Sequence, residues 1–135
     1  MHEKREVVFR KETFSFEAYY YRCPVTGMEF TTTELDDKSI GQVYAQYRMK
    51  YGIPSPEEIK ATRLKYGLSA ARMSRVLGLG INQYRLYEGG EMPSVSIGKM
   101  LKIIEDPASF RRLVTNSRNQ YKKKEYDALL SKLRA

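Results

Sequence analysis

Asn82, Gln83, Arg85 and Leu86 lie almost consecutively in the chain, and together they hold the chemistry that reads a DNA base edge. An asparagine or glutamine amide bonds adenine through two hydrogen bonds. An arginine guanidinium does the same to guanine, and an apolar side chain meets the thymine methyl. Residues three and four apart are neighbours on a helix, so Asn82, Arg85 and Leu86 share one helix face. Ile81, Tyr84 and Glu88 fall on another side, with Tyr87 beside them. Ser69 and Arg72, at the start of the preceding segment, complete the set of DNA-binding candidates.

A second stretch has the outline of a metal loop. Cys23-Pro24-Val25-Thr26-Gly27 is spaced like a zinc knuckle, in which two cysteines three apart converge on one ion. Tetrahedral zinc needs four Cys, His or carboxylate ligands. Thr26 stands where the second thiolate belongs, Cys23 is the only cysteine, and the only histidine is His2 at the terminus. The loop reads as a turn kept by Pro24 and Gly27, and no metal or other cofactor is expected. The same shortage argues against catalysis, because nucleophilic or metal chemistry needs converging groups. Asp36 and Asp37 sit beside a helix start, where carboxylates act as caps.

The elements that must position the base-reading set are marked locally. Ser69 is an N-cap, and Met73, Val76 and Leu77 give the helix after it one apolar stripe. Ser74, among them, is small enough for a neighbouring helix to approach. Gly78 suits a left-handed C-cap, Leu79 plugs the corner, and a second helix runs over residues 81–88 until Gly89-Gly90. Two short helices joined by such a turn place the second helix in the major groove. Ahead of them, Ser55-Pro56-Glu57-Glu58 combines a cap, a first-turn proline and a capping box. Ile59, Thr62 and Tyr66 form that helix's inward face, and Gly67 closes it. After them, Ser94 or Ser96 opens a helix with Ile97, Met100, Leu101 and Ile104 inward. Asp106-Pro107 opens another carrying Phe110, Leu113 and Val114. Leu129, Leu130 and Leu133 mark a terminal helix that docks on the body or on a second subunit.

The N-terminal part reads differently. Residues 7–9, 13–21 and 29–33 are rich in β-forming residues, and residues 34–51 repeat Ile40, Val43, Tyr44 and Tyr47 at helical spacing, with Asp36 or Asp37 as cap. Most of the tyrosines here (Tyr19, Tyr20, Tyr21, Tyr44, Tyr47, Tyr51) read as core in a chain without tryptophan, and some as anchors for a partner. Gly52-Ile53-Pro54 makes the boundary. The expected fold is mainly α: a five-helix Cro-like helix-turn-helix domain over residues 55–114, preceded by a small α+β domain with a short antiparallel sheet over residues 1–54. A basic helical tail fills residues 115–135.

Charge follows the same division. The chain carries +8, but residues 1–59 hold eight Lys/Arg against ten Asp/Glu, and residues 60–135 hold sixteen against six. Only the second half is suited to a polyanion. No apolar run approaches a membrane span, the charged N-terminus lacks a signal-peptide core, and the lone cysteine makes no internal disulfide, so a cytoplasmic protein is expected.

These features resemble the MqsA/YgiT-type antitoxin family, which joins an N-terminal zinc-knuckle domain to a C-terminal helix-turn-helix domain. The resemblance covers roughly residues 20–114. It rests on Cys23-Pro24-x-x-Gly27, on Ser55-Pro56-Glu57-Glu58-Ile59 leading to Tyr66-Gly67-Leu68-Ser69, on Gly78-x-Gly80-Ile81-Asn82 and on Tyr87-Glu88-x-Gly90. It implies a homodimer that binds a palindromic double-stranded operator and represses its own toxin–antitoxin operon. It also implies an N-terminal domain that holds a toxin protein, usually an RNA-cleaving one. In the family, an asparagine matching Asn82 and an arginine immediately before the Tyr-Glu pair contact bases. Here that second position is Leu86, with Arg85 one residue earlier. Two other functions fit parts of the chain. One is a stand-alone helix-turn-helix repressor without a toxin. The other is an RNA-binding module built on the aromatic strands and Lys122-Lys123-Lys124.

The lost ligands lead to a first prediction. Purified protein should carry no stoichiometric zinc and keep its circular dichroism in excess chelator; elemental analysis finding close to one zinc per chain would refute it.

Overall fold

The computed structural model describes residues 1–117 and 123–133 and divides the chain into two units, Met1–Lys50 and Tyr51–Ala135. The fold is mainly helical, with a small antiparallel sheet at the N-terminus. No helix among the described residues is long and apolar enough to cross a membrane.

In the first unit, β1 (His2–Phe9) and β2 (Glu12–Tyr19) form a hairpin in which Arg5 faces Phe16 and Val7 faces Phe14. β1 starts five residues earlier than its apolar run indicated, because the polar residues 2–6 alternate across the pleat as well as apolar ones do. Phe14 and Ala18 are buried on one face. Against that face lies α1 (Thr33–Tyr51), through Ser39, Val43 and Tyr47, which recur every four residues. The rings of Phe9 and Phe14 meet Tyr47 edge-on, at centroid distances of 5.1 and 6.1 Å. The cap of α1 is not Asp36 or Asp37. Thr32 Oγ1 accepts from the Leu35 N–H at 3.2 Å, and Asp36 falls inside the first turn, where the helix dipole favours a carboxylate. Of the six tyrosines, Tyr20 and Tyr47 are buried and Tyr21 is exposed. A second, minimal hairpin pairs β3 (Tyr21–Arg22) with β4 (Glu29–Phe30); the expected third strand ends there because α1 begins at Thr33.

The first hairpin turns on Arg10 and Lys11, both at positive φ (50° and 68°). That geometry matches the twist of the flanking strands but normally calls for Asn-Gly. Each bulky residue costs about 1–2 kcal/mol there. The Arg10 guanidinium offsets part of it by lying over the Phe9 and Tyr47 rings, 5.4 and 5.2 Å from their centroids.

Backbone bonds running both ways between Met1 and Tyr20 set the phase of the ladder. Glu3, Arg5 and Val7 bond to β2, so the far edge of β2 presents Ser15, Glu17 and Tyr19 outward. Side chains of α1 satisfy that edge. Gln42 Nε2 donates to the Glu17 carbonyl at 2.8 Å and Gln42 Oε1 accepts from its N–H at 2.9 Å. Gln46 Nε2 donates to Ser15 O at 2.7 Å, and Tyr19 N–H donates to Ser39 Oγ at 3.0 Å.

The second unit is a helical bundle of α2 (Pro56–Lys65), α3 (Ala70–Val76), α4 (Gln83–Glu88), α5 (Val95–Ile103), α6 (Pro107–Asn116) and α7 (Lys123–Leu133). Four of these helices open on the caps that local sequence marks. They are Ser55, whose capping box with Glu58 is complete, Ser69, Ser94 and Asp106. The core joins Ile59, Tyr66, Met73, Val76, Tyr84, Leu101, Phe110 and Val114. Ile53 and Pro54 are buried, and a Cβ on Gly98 would come within 2.5 Å of the Ile53 side chain. Within the tail, Lys122 lies outside the described residues, whereas Leu129 is buried in the core and Glu125 bridges to Arg75 at 2.9 Å. α7 therefore packs on the bundle rather than extending from it.

Two core tyrosines make the bundle sensitive to alkali. Tyr66 donates to the Ile104 carbonyl at 2.6 Å and stacks on Phe110 at 4.2 Å. Burial, helped by Asp106 and Glu105, pushes its hydroxyl up to about 12, and burial pushes the Tyr84 hydroxyl up as well, with Glu88 adding to it. An unfolded chain releases these protons near pH 10. The folded state then holds more protons, so this stability is complete below about pH 10 and is lost as pH rises towards 12. Urea midpoints should fall over that window, and Tyr66→Phe should shallow the fall; a slope unchanged by the substitution would refute the assignment.

Candidate nucleic-acid interface

α3 packs through Met73, Ser74 and Val76, all buried, and presents Ala71, Arg72 and Arg75 outward. Its end is a glycine lock. Gly78, at φ 74°, donates to Arg75 O, and Leu79 N–H reaches back to Ser74 O at 2.8 Å. This pair of bonds satisfies two orphan carbonyls and turns the chain sharply. The same pair recurs after α2 and α4, where Leu68 reaches Arg63 O and Glu91 reaches Leu86 O. Both sharp corners flanking the reading segment are thus fixed by backbone bonds.

α4 begins at Gln83, two residues later than the sequence pattern indicates, with Asn82 as its N-cap residue. Contrary to the helical spacing, Ile81 does not share a side with Tyr84: it is 70 % exposed whereas Tyr84 is buried. It precedes the helix, in the turn, so helical phase does not apply to it. Tyr84 and Tyr87 are buried.

Asn82 makes no side-chain capping bond. The first turn of α4 is capped instead from α3, where the buried Ser74 Oγ accepts from the Tyr84 N–H at 3.0 Å. Tyr84 also donates through its hydroxyl to the Ile59 carbonyl of α2. Behind it, Arg63 Nε bonds Glu88 Oε1 at 2.6 Å and Arg63 Nη1 bonds Leu68 O at 3.2 Å. The inner side of α4 is held at three points while its outer side is left open.

On that outer side Asn82, Arg85 and Leu86 are exposed, and among the described residues neither Asn82 nor Arg85 has a side-chain hydrogen bond or ion pair. Gln83 differs: it is half-buried, and its Nε2 donates to Glu91 Oε2 at 2.9 Å, which orients the amide from behind. Ser69 and Arg72 lie apart from this group. They line a hollow between α3 and the turn, together with Arg75, Gly78 and Ile81. The Ser69 hydroxyl already accepts from the Arg72 N–H at 3.2 Å. Ile81 and Arg75 border the same surface and were not among the sequence candidates. A glycine followed by an apolar residue before the cap was the available signal for Ile81.

No protein-family model, curated protein or solved structure matches this chain. The candidate surface therefore stands on its own geometry and charge. With the boundary at Lys50, the first unit is electrically neutral, with eight cationic and eight acidic side chains, and the helical unit carries the whole +8.

The knuckle loop of the first unit offers no second site of this kind. Cys23 N–H donates to Met28 O and Gly27 N–H to Cys23 O, both at 2.8 Å. The Thr26 hydroxyl bonds the thiol and, with the N–H groups of Thr26 and Val25, draws its pKa below the usual value. Among the described residues no three His, Cys, Asp or Glu side chains converge.

The cap supplied by Ser74 can be tested directly. Ser74→Ala leaves a buried N–H unsatisfied and should destabilise the protein by about 1–3 kcal/mol, whereas Asn82→Ala should stay within about 0.5 kcal/mol. Equal losses in urea unfolding would place the cap on Asn82 after all.

Proposed function

We propose that this chain is a non-catalytic, sequence-specific DNA-binding antitoxin of the cytoplasm that represses its own operon. The observation that carries this reading is the open face of α4. Asn82, Arg85 and Leu86 are exposed there, Asn82 and Arg85 with no side-chain hydrogen bond or ion pair among the described residues, on a helix whose inner side is pinned by Ser74, Ile59 and Arg63. Preorganised side chains lose little freedom on binding, and amide, guanidinium and apolar groups are those that distinguish base edges in the major groove. The five helices α2–α6 would then act as a Cro-like reading domain, with Ser69, Arg72 and Gln83 at its margin and Ile81 available to a thymine methyl. A net +8 in the same unit supplies the salt-dependent attraction to phosphates. Palindromic operators are read by two-fold dimers, so a homodimer belongs to the proposal.

The antitoxin half of the reading is supported by the first unit. Tyr21, Val25, Met28 and Phe30 are exposed around the knuckle loop, Val25 to 90 %, and clustered apolar side chains of this kind mark protein contacts. A stand-alone repressor remains the second reading, favoured by the completeness of the reading unit without its neighbour. Co-expression with the product of the adjacent gene decides between them, since an antitoxin should co-purify with it and neutralise it.

For DNA itself, Asn82→Ala and Arg85→Ala should each weaken binding to the palindrome upstream of the chain's own gene by about 1–3 kcal/mol. Thermal unfolding should be preserved, and random DNA should be bound as before. Fluorescence anisotropy showing equal loss on both duplexes would reject base reading by this helix.

A further inference from the structure

Of the two edges of the N-terminal hairpin, one is closed and the other is open. The far edge of β2 is satisfied by Ser39, Gln42 and Gln46. The far edge of β1 presents the N–H and C=O groups of Lys4, Glu6 and Val8, and no bond to them is made among the described residues. β1 is eight residues long, regular, and free of proline and bulges, and Lys4, Glu6 and Val8 are all exposed. Such an edge is a template for another strand.

The charges on it select the partner. We propose that β1 pairs antiparallel with β1 of a second copy of this chain, giving a four-stranded sheet across a two-fold axis at Arg5. The ladder phase allows only registers in which even-numbered residues face even-numbered residues. Centring on Lys4 would set Lys4 against Lys4, and centring on Glu6 would set Glu6 against Glu6. Centring on Arg5 instead sets Lys4 of each copy against Glu6 of the other, and His2 against Val8, with side chains on the same face. Two opposite-charge pairs directly across a ladder are stabilising, where like pairs are not. On the other face Arg5 meets its own symmetry mate. Its charge is already engaged by Glu3 and by Glu29, the latter at 3.3 Å, and Glu3 of the second copy is a diagonal neighbour. The contact is isologous, as a two-fold interface must be, and it stands whether or not the chain binds DNA.

Hydrogen exchange on the full chain tests it residue by residue. The amides of Glu3, Arg5 and Val7 bond to β2 and report that the hairpin is folded. Those of Lys4, Glu6 and Val8 should slow at least about tenfold as protein concentration is raised. Lys4→Glu and Glu6→Lys should each abolish that slowing when alone, because both pairs between positions 4 and 6 become like-charged, and an equimolar mixture of the two should restore it. Fast exchange of Lys4, Glu6 and Val8 in the wild-type chain at every concentration would overturn the proposal. So would slowing that survives in either single variant, or slowing that appears only when the neighbouring gene's product is added, which would assign the edge to that protein.

Discussion

Everything in the helical unit converges on Tyr84. Its ring is fully buried, its N–H donates to Ser74 of α3, and its hydroxyl donates to Ile59 of α2. One residue therefore ties three helices together through both backbone and side chain. Burying a tyrosine gains apolar contact only if the hydroxyl finds an acceptor, and the Ile59 carbonyl serves here because a carbonyl oxygen has a second lone pair beyond the one used in the helix. The partly buried Arg63–Glu88 pair adds to the same clamp; removing either partner would strand a charge at a cost of about 3–5 kcal/mol if fully buried.

The two units solve the same problem of orphan backbone groups by different means. In the bundle, most helix ends are closed locally: serine or aspartate caps start α2, α3, α5 and α6, and glycine turns finish α2, α3 and α4. In the hairpin unit the exposed ladder of β2 is closed from a distance, by three polar side chains on one stripe of α1. That stripe explains why α1 has little amphipathic contrast in sequence: Ser39, Gln42 and Gln46 are polar yet face the protein.

This difference also accounts for what was legible in the sequence. Ser55, Ser69 and Asp106 could be read directly, and Ser94 as one of two candidates with Ser96, because a cap acts on N–H groups two or three residues away and leaves a fixed spacing. Gly67, Gly78 and Gly90 were legible for the same reason. The start of α4 was not, since its cap is Ser74, ten residues back, and nothing near Ile81 marks the helix boundary. The start of α1 was blurred by competing oxygens at Thr31, Thr32, Thr33, Asp36 and Asp37. The roles of Gln42 and Gln46 depend on a strand nearly thirty residues away and leave no local trace. Of the reading set, Asn82, Arg85 and Leu86 could be placed on one open face from helical spacing alone; the tether of Gln83 to Glu91 could not.

The transfer of the cap from Asn82 to Ser74 has a consequence for how such chains diverge. A residue that both closes a helix and reads a base cannot be exchanged without unsettling the fold, so its identity is frozen by two demands at once. Here the capping demand rests on the buried Ser74, and the outward Asn82 side chain is released from it. Side chains at positions 82 and 85 are therefore open to exchange while the bundle behind them stays unchanged.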